Sequence, residues 1–87
     1  MNNQERVESI RELLEKHLAP RLLQISDDSH LHAGHAGARS GKGHFSVKIR
    51  SASFEGLSRL KQQQLVYQAL GKLMQTDIHA LSIDAAV

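Results

Sequence analysis

The sequence predicts a small α/β (α+β) domain in the order α-β-β-α-β, with a three-stranded mixed sheet and helices packed on one face. Three observations predict it. Apolar residues recur at helical spacing in two segments, they alternate at period two in the strand candidates, and a polar stretch separates the first two strands. A chain of 87 residues has room for one modest core. We therefore expect a single domain over residues 1–87.

The first helix is predicted by apolar residues at steps of three and four, namely Val7, Ile10, Leu13, Leu14 and Leu18. Asn2 or Asn3 can cap its start, because a side-chain oxygen there can accept from a free backbone N–H. Pro20 disfavours helical geometry at the residue before it, so the helix should end near Ala19.

The strand candidates cover residues 21–26, 44–50 and 78–83. In the second one, Phe45, Val47 and Ile49 alternate with polar residues and should face inward. A second helix is expected over residues 60–74, with Ser58 as its N-cap. Two strands joined directly and a third reached through a helix give a mixed sheet.

A polar segment over about residues 27–43 should form a flexible loop rich in histidine and glycine. Connections in compact domains are usually ~4–6 residues long, and longer ones tend to be functional or disordered. The loop contains His30, His32 and His35. Imidazole is a common ligand for zinc, copper, nickel and iron, and histidine-rich tracts are typical of metal binding. A solvated loop that binds nothing fits this loose spacing equally well.

Two further histidines start strands. His44 is out of phase with Phe45, so we expect an ordinary exposed residue on the face opposite the core. His79 is in phase with Leu81 and Ile83, so we expect it to begin the inward face of the last strand. There it is either a hydrogen-bonded boundary residue or a ligand.

Several functions are excluded by residues that the sequence lacks. Without cysteine, this chain can form no disulfide and supply no thiolate ligand. Common nucleophile, phosphate-loop and zinc-protease motifs are missing, and the consecutive Asp28, Ser29 and His30 cannot adopt triad geometry, so we expect no enzyme. No apolar run approaches the ~20 residues of a membrane span, and no targeting pattern is present. We expect a cytoplasmic protein that does not contact membranes.

Three segments, taken together, resemble the BolA family. They are Asp27–Gly37, the pair His44-Phe45, and residues 54–83 with Phe54-Glu55-Gly56, Leu65-Val66-Tyr67 and Ile78-His79-Ala80-Leu81-Ser82-Ile83. The resemblance runs from about residue 6 to residue 84. It implies a class II KH-like fold and partnership with a monothiol glutaredoxin. In such heterodimers the glutaredoxin cysteine, a glutathione thiolate and histidine from the BolA-like protein share a 2Fe–2S cluster.

By this resemblance, the family's C-terminal ligand falls on His79. The second, in the loop, falls on His32 when counted forward from Asp27-Asp28-Ser29 and on His35 when counted back from His44-Phe45. His30 is a further candidate metal ligand, although we expect it to be a spectator. The implied function is a non-enzymatic adaptor in iron–sulphur cluster trafficking or iron regulation. The free protein is expected to carry no cofactor and to be a monomer or weak homodimer.

Two alternatives remain open. The resemblance also implies a transcriptional regulator that binds DNA through the KH-like surface, with Lys48, Arg50, Arg59 and Lys61 as phosphate contacts. A net charge of +2 does not by itself imply a polyanionic partner. The family's Arg-His-Arg run is Gln62-Gln63-Gln64 here, which removes expected phosphate contacts. The other alternative is binding of a divalent metal by the loop histidines alone, as a buffer or sensor.

Overall fold

The structure is a computed structural model that describes residues 2–29 and 42–87. Its elements are α1 (Asn3–Leu18), β1 (Leu22–Asp27), β2 (Gly43–Arg50), a short 3₁₀ helix (Ala52–Phe54), α2 (Arg59–Leu70), α3 (Leu73–Thr76) and β3 (Ile78–Ala86). The predicted fold class and element order are confirmed. No helix within these two ranges is long and apolar enough to cross a membrane.

Both main helices begin at predicted side-chain caps. The Asn2 Oδ1 accepts from the Glu5 backbone N–H at 2.8 Å, and the Glu5 carboxylate accepts from the Asn2 N–H at 3.3 Å, which forms a capping box. The Ser58 Oγ accepts from the Lys61 N–H at 3.2 Å at the start of α2. Helix α1 ends at Leu18, as expected from the following Ala19-Pro20.

The prediction of one continuous helix over residues 60–74 is wrong. Gly71 follows α2 with a φ of +53°, and a separate short helix, α3, starts at Leu73. Glycine adopts positive φ without the steric cost that a Cβ would bring. The chain therefore changes direction at Gly71 before it enters β3.

The strands lie in the order β1-β2-β3, with β1 antiparallel and β3 parallel to the central β2. Val47 pairs with Ile25 on one side and with Ile83 on the other, so these three side chains share the face that packs against the helices. The opposite face, which we call the open face, carries Gln24, Ser26, His44, Ser46, Lys48, Arg50, Ser82 and Asp84.

The core lies between the sheet and the two main helices. Its buried residues are Ile10, Leu14, Leu18, Phe45, Val47, Ile49, Phe54, Val66, Ala69, Leu70 and Ile78. Leu65 and Leu73 are half-buried and pack against it. This packing holds the starts of β2 and β3 side by side, where His44 and His79 lie.

Candidate metal centre

A β-bulge positions His79. Gly43 pairs with Ile78, but the next residue, His44, pairs with Ala80, so His79 is the extra residue between them. Ile78 lies in the core with 2% of its surface exposed, whereas His79 is exposed. The prediction that His79 begins the inward face is therefore wrong, because the bulge changes the phase of the alternation between Ile78 and Leu81.

Gly43 lies at the start of β2, where the Phe45 ring and Asn3 of α1 come close to its backbone. A Cβ at this residue would lie 2.4 Å from the Phe45 ring and 3.0 Å from the Asn3 Oδ1. The Phe45 ring therefore packs directly against the backbone of Gly43, which has no Cβ. The Gly43 N–H also donates to the Asp77 carbonyl oxygen at 2.9 Å, which joins β2 to the residue before β3.

His44 is buried, with 6% of its surface exposed, so the prediction of an ordinary exposed strand residue is wrong. Its ring lies beside that of His79, with the centroids 4.9 Å apart and the planes at 50°. The His44 N–H donates to the Ser29 Oγ at 3.1 Å, and its carbonyl accepts from the Asp28 N–H at 2.8 Å. Alternation along β2 placed this side chain on the correct face, but it carries no information on what lies over that face.

Polar contacts around Asp77 fix the start of β3. The Asp77 carboxylate accepts from the Thr76 hydroxyl at 2.8 Å and from the Arg6 Nε at 3.1 Å. These two hydrogen bonds hold the pKa of Asp77 below its ordinary value. Arg6 and Asp77 are 71 positions apart, so no local sequence pattern indicated this pair.

The same contacts reach the start of the loop. The Arg6 Nη1 donates to the Asn3 Oδ1 at 2.8 Å, and the Asn3 Nδ2 donates to the Ser29 Oγ at 3.0 Å. Ser29 is the last described residue before the loop histidines. Sequence reasoning considered Asn3 only as a helix cap and missed this role.

The predicted loop ligands His30, His32 and His35 lie outside the described residues. Within residues 2–29 and 42–87, no group of three or more His, Cys, Asp or Glu side chains could hold a metal ion. The candidate ligand that lies in the described part of the chain is His79. It is exposed, and its ring contacts that of the buried His44.

The four cations proposed for DNA contacts differ in how they interact with the Asp84 carboxylate. The Arg50 Nη1 lies 3.1 Å from the Asp84 Oδ1 and also donates to the Asp84 carbonyl oxygen at 2.9 Å. The hydrogen bond from Arg50 is the largest cause that lowers the pKa of Asp84; desolvation opposes it, and the charges of Arg50, Lys48 and Arg59 lower the pKa further. Three of the cations therefore act on one carboxylate, while Lys61 is exposed on α2.

The fold and the sequence together define a BolA-like domain. The family model described as BolA-like protein matches residues 14–87, and the chain belongs to this family. It is 46% identical over 81 residues to "Protein BOLA1, chloroplastic" of Arabidopsis thaliana, covering 90% of this chain and 51% of the relative. It is 34% identical over 74 residues to "DNA-binding transcriptional regulator BolA" of Haemophilus influenzae, covering 85% of this chain and 69% of the relative.

Solved structures agree with this assignment. The BolA domain of SufE1 from Arabidopsis thaliana has a TM-score of 0.82 and 42% identity, with 93% of this chain and 90% of that chain covered. The solution structure of BolA1 from Mus musculus has a TM-score of 0.76 and 38% identity, with 93% and 63% covered. The chain spans about half the length of several curated relatives that it matches, such as the Arabidopsis BOLA1 protein (51%) and the human BolA-like protein 1 (54%).

Proposed function

We propose that this protein is a non-enzymatic adaptor in iron–sulphur cluster trafficking or iron regulation. It shares a 2Fe–2S cluster with a monothiol glutaredoxin and glutathione. The observation that carries the proposal is the position of His79, which a bulge turns out of the core at the start of β3 and leaves exposed. An exposed imidazole on a rigid strand can reach a metal held by another molecule.

The donor set fits a shared site. The chain has no cysteine, and the described residues contain no group of three or more metal-ligating side chains. Iron–sulphur clusters are held mainly by thiolates, so the remaining ligands would come from the partner and from glutathione. In this chain, His79 and either His32 or His35 would hold the cluster.

Imidazole ligation has two chemical consequences. When the cluster is bound, a neutral imidazole in place of a thiolate removes negative charge from iron and raises the reduction potential. Because the neutral ring is the ligand, protons compete with iron for it, and the cluster is held less firmly in acid. These properties suit transfer or sensing of a cluster rather than its permanent storage.

Cytoplasmic location stays a prediction. Two relatives carry the names "Protein BOLA1, chloroplastic" and "SufE-like protein 1, chloroplastic/mitochondrial". Fluorescence microscopy of the tagged protein in its host checks the location independently of the cluster.

The test is anaerobic mixing of the protein with the host's monothiol glutaredoxin, glutathione, iron and sulphide. We expect a heterodimer whose visible circular dichroism differs from that of the glutaredoxin homodimer. His79→Ala should abolish this spectrum or shorten the cluster lifetime. His17→Ala is the matched control, because His17 is an exposed histidine in the last turn of α1. His32→Ala and His35→Ala, measured separately, decide which loop residue is the second ligand.

Two results would contradict the proposal. If the wild-type protein forms no heterodimer with the loaded glutaredoxin, the adaptor function is wrong. If the heterodimer forms but His79→Ala keeps the wild-type spectrum and cluster lifetime, the ligand assignment is wrong.

DNA binding is the second candidate, favoured by the name of the Haemophilus influenzae relative. The pairing of Arg50 with Asp84 opposes it, because that carboxylate offsets positive charge on the open face. Fluorescence anisotropy with duplex DNA at physiological salt tests it without any partner protein. Sequence-dependent binding that Lys48→Gln and Lys61→Gln weaken would support it, whereas weak binding that disappears with added salt would exclude it.

A further inference from the structure

A continuous chain of hydrogen bonds joins four segments of the protein around the candidate metal centre. It consists of Asp77, Arg6, Asn3, Ser29 and the backbone N–H of His44, and we call it the Arg6 network. The segments are the residue before β3, the first turn of α1, the residues after β1, and the start of β2. His79 and the loop histidines both follow closely after segments that the network holds.

Arg6 is the branch point. Its Nε donates to the Asp77 Oδ1 at 3.1 Å, and its Nη1 donates to the Asn3 Oδ1 at 2.8 Å. The side chains of Arg6 and Asp77 are only 11% and 15% exposed, so solvent screens this pair less than an ordinary surface pair. The planar guanidinium presents its N–H donors in a fixed fork, which lets one side chain bind both acceptors in a defined geometry.

Asn3 extends the network to the loop. Both polar atoms of its side-chain amide form hydrogen bonds. The Oδ1 accepts from Arg6, and the Nδ2 donates to the Ser29 Oγ at 3.0 Å. The same Ser29 oxygen accepts from the His44 N–H at 3.1 Å. The residue that precedes the loop is thereby bonded to the strand residue whose ring contacts His79.

We propose that Arg6 is a positioning residue for the candidate metal centre: through Asp77 and Asn3 it sets the start of β3 and the start of the histidine loop relative to His44. The inference that Arg6 serves a metal centre rests on the proposed function. The hydrogen bonds of the Arg6 network do not depend on that function. The core contacts of Ile10, Leu14 and Leu18 attach α1 to the sheet, so Arg6 is not needed to hold the helix in place. Arg6 instead determines where His79 lies before any cluster is bound.

The experiment uses the free protein and NMR spectroscopy. The readouts are the nuclear Overhauser effect between the rings of His44 and His79 and the hydrogen-exchange rate of the His44 amide. Arg6→Gln should weaken the ring contact and raise the exchange rate roughly ten-fold, as expected for loss of about one hydrogen bond's net stabilisation. The matched control is Arg11→Gln, which removes an arginine of the same helix whose contact with Glu8 is exposed and 4.0 Å long. It should change neither readout.

Two further variants keep the inference testable if Arg6→Gln does not fold. Arg6→Lys retains the charge but cannot reproduce the fork, so it should give intermediate values of both readouts. Asn3→Asp keeps an acceptor for Arg6 and removes the donor to Ser29. It should raise the exchange rate of the His44 amide while the contact between the His44 and His79 rings is retained.

Wild-type values of both readouts in Arg6→Lys and Asn3→Asp, or in a folded Arg6→Gln, would overturn the positioning role. In the cluster-bridged heterodimer, Arg6→Gln should shorten the cluster lifetime several-fold, whereas Arg11→Gln should not. If the wild-type heterodimer does not form, the proposed function fails. The measurements on the free protein still decide whether Arg6 positions the histidines.

Discussion

The imidazole rings of His44 and His79 lie with their centroids 4.9 Å apart and their planes tilted by 50°. His44 is buried and His79 is exposed, although they are neighbours across the same pair of strands. The bulge opposite Gly43 and His44 produces this asymmetry, because it places His79 outside the regular pairing. The two histidines should therefore differ in what they contribute to stability and to binding.

Substitution of each histidine by alanine separates these contributions. His44→Ala should lower the free energy of unfolding by about 1–3 kcal/mol, because it removes a buried ring from a packed site. His79→Ala should change it by less than about 0.5 kcal/mol, as expected for an exposed side chain. Urea unfolding followed by far-UV circular dichroism measures both. Equal effects of the two substitutions would contradict the burial difference.

Gly43→Ala should destabilise the protein by about 1–3 kcal/mol, since the added Cβ would lie 2.4 Å from the Phe45 ring. Phe45→Leu removes the ring that the Cβ meets. The double variant should therefore be more stable than the sum of the two single effects predicts, and a double-mutant cycle by urea unfolding measures the difference. If the effects of the two substitutions on the free energy of unfolding simply add, the close approach of Gly43 and Phe45 is not the cause of the destabilisation by Gly43→Ala.

Asp84 should titrate below its ordinary pKa of 3.8, because Arg50 donates a hydrogen bond to its carboxylate and nearby cations favour the charged form. A depressed folded-state pKa means that this carboxylate stabilises the fold above the unfolded-state pKa. That contribution is lost as the pH falls through the lower folded-state value. Carboxyl ¹³C NMR should show Arg50→Gln raising the pKa of Asp84 more than Lys48→Gln does. An unchanged pKa in Arg50→Gln would contradict the pairing.

Ser51 connects the end of α1 to the segment after β2. It is 1% exposed, its hydroxyl donates to the Leu18 carbonyl oxygen, and its oxygen accepts from the Ser53 N–H at 3.1 Å. Ser51→Ala should cost about 1–3 kcal/mol in the free energy of unfolding, because it removes the hydroxyl that donates to the carbonyl oxygen of the buried Leu18. Ser53→Ala is the control, since Ser53 is exposed and its contact with Leu18 is 3.4 Å long. A similar loss in both variants, measured by guanidinium unfolding, would argue against a specific role for Ser51.

The local features of this fold were predictable from residues close together in the chain. The apolar spacing from Val7 to Leu18 predicted α1. Asn2 or Asn3, of which the structure uses Asn2, and Ser58 were expected as caps because capping bonds span only three residues. The alternation around Val47 predicted the central strand. The order of elements then left few ways to arrange three strands, and the mixed sheet is one of them. The resemblance to the BolA family rested on Asp27–Gly37, the pair His44-Phe45 and residues 54–83, and it is confirmed by the family match.

The geometry of the candidate site was decided by tertiary structure alone. Strand alternation assumes regular pairing, so it could not show that the bulge at Gly43 would turn Ile78 inward and His79 outward. It also could not show that a polar-face residue such as His44 would be covered. The contact between Arg6 and Asp77 joins residues 71 positions apart, and only the packing of α1 against the sheet brings them together. The sequence by itself thus determined the three strands, the two main helices, their order and which histidines the chain contains. Where those histidines lie depended on long-range contacts, because side-chain periodicity describes one element at a time.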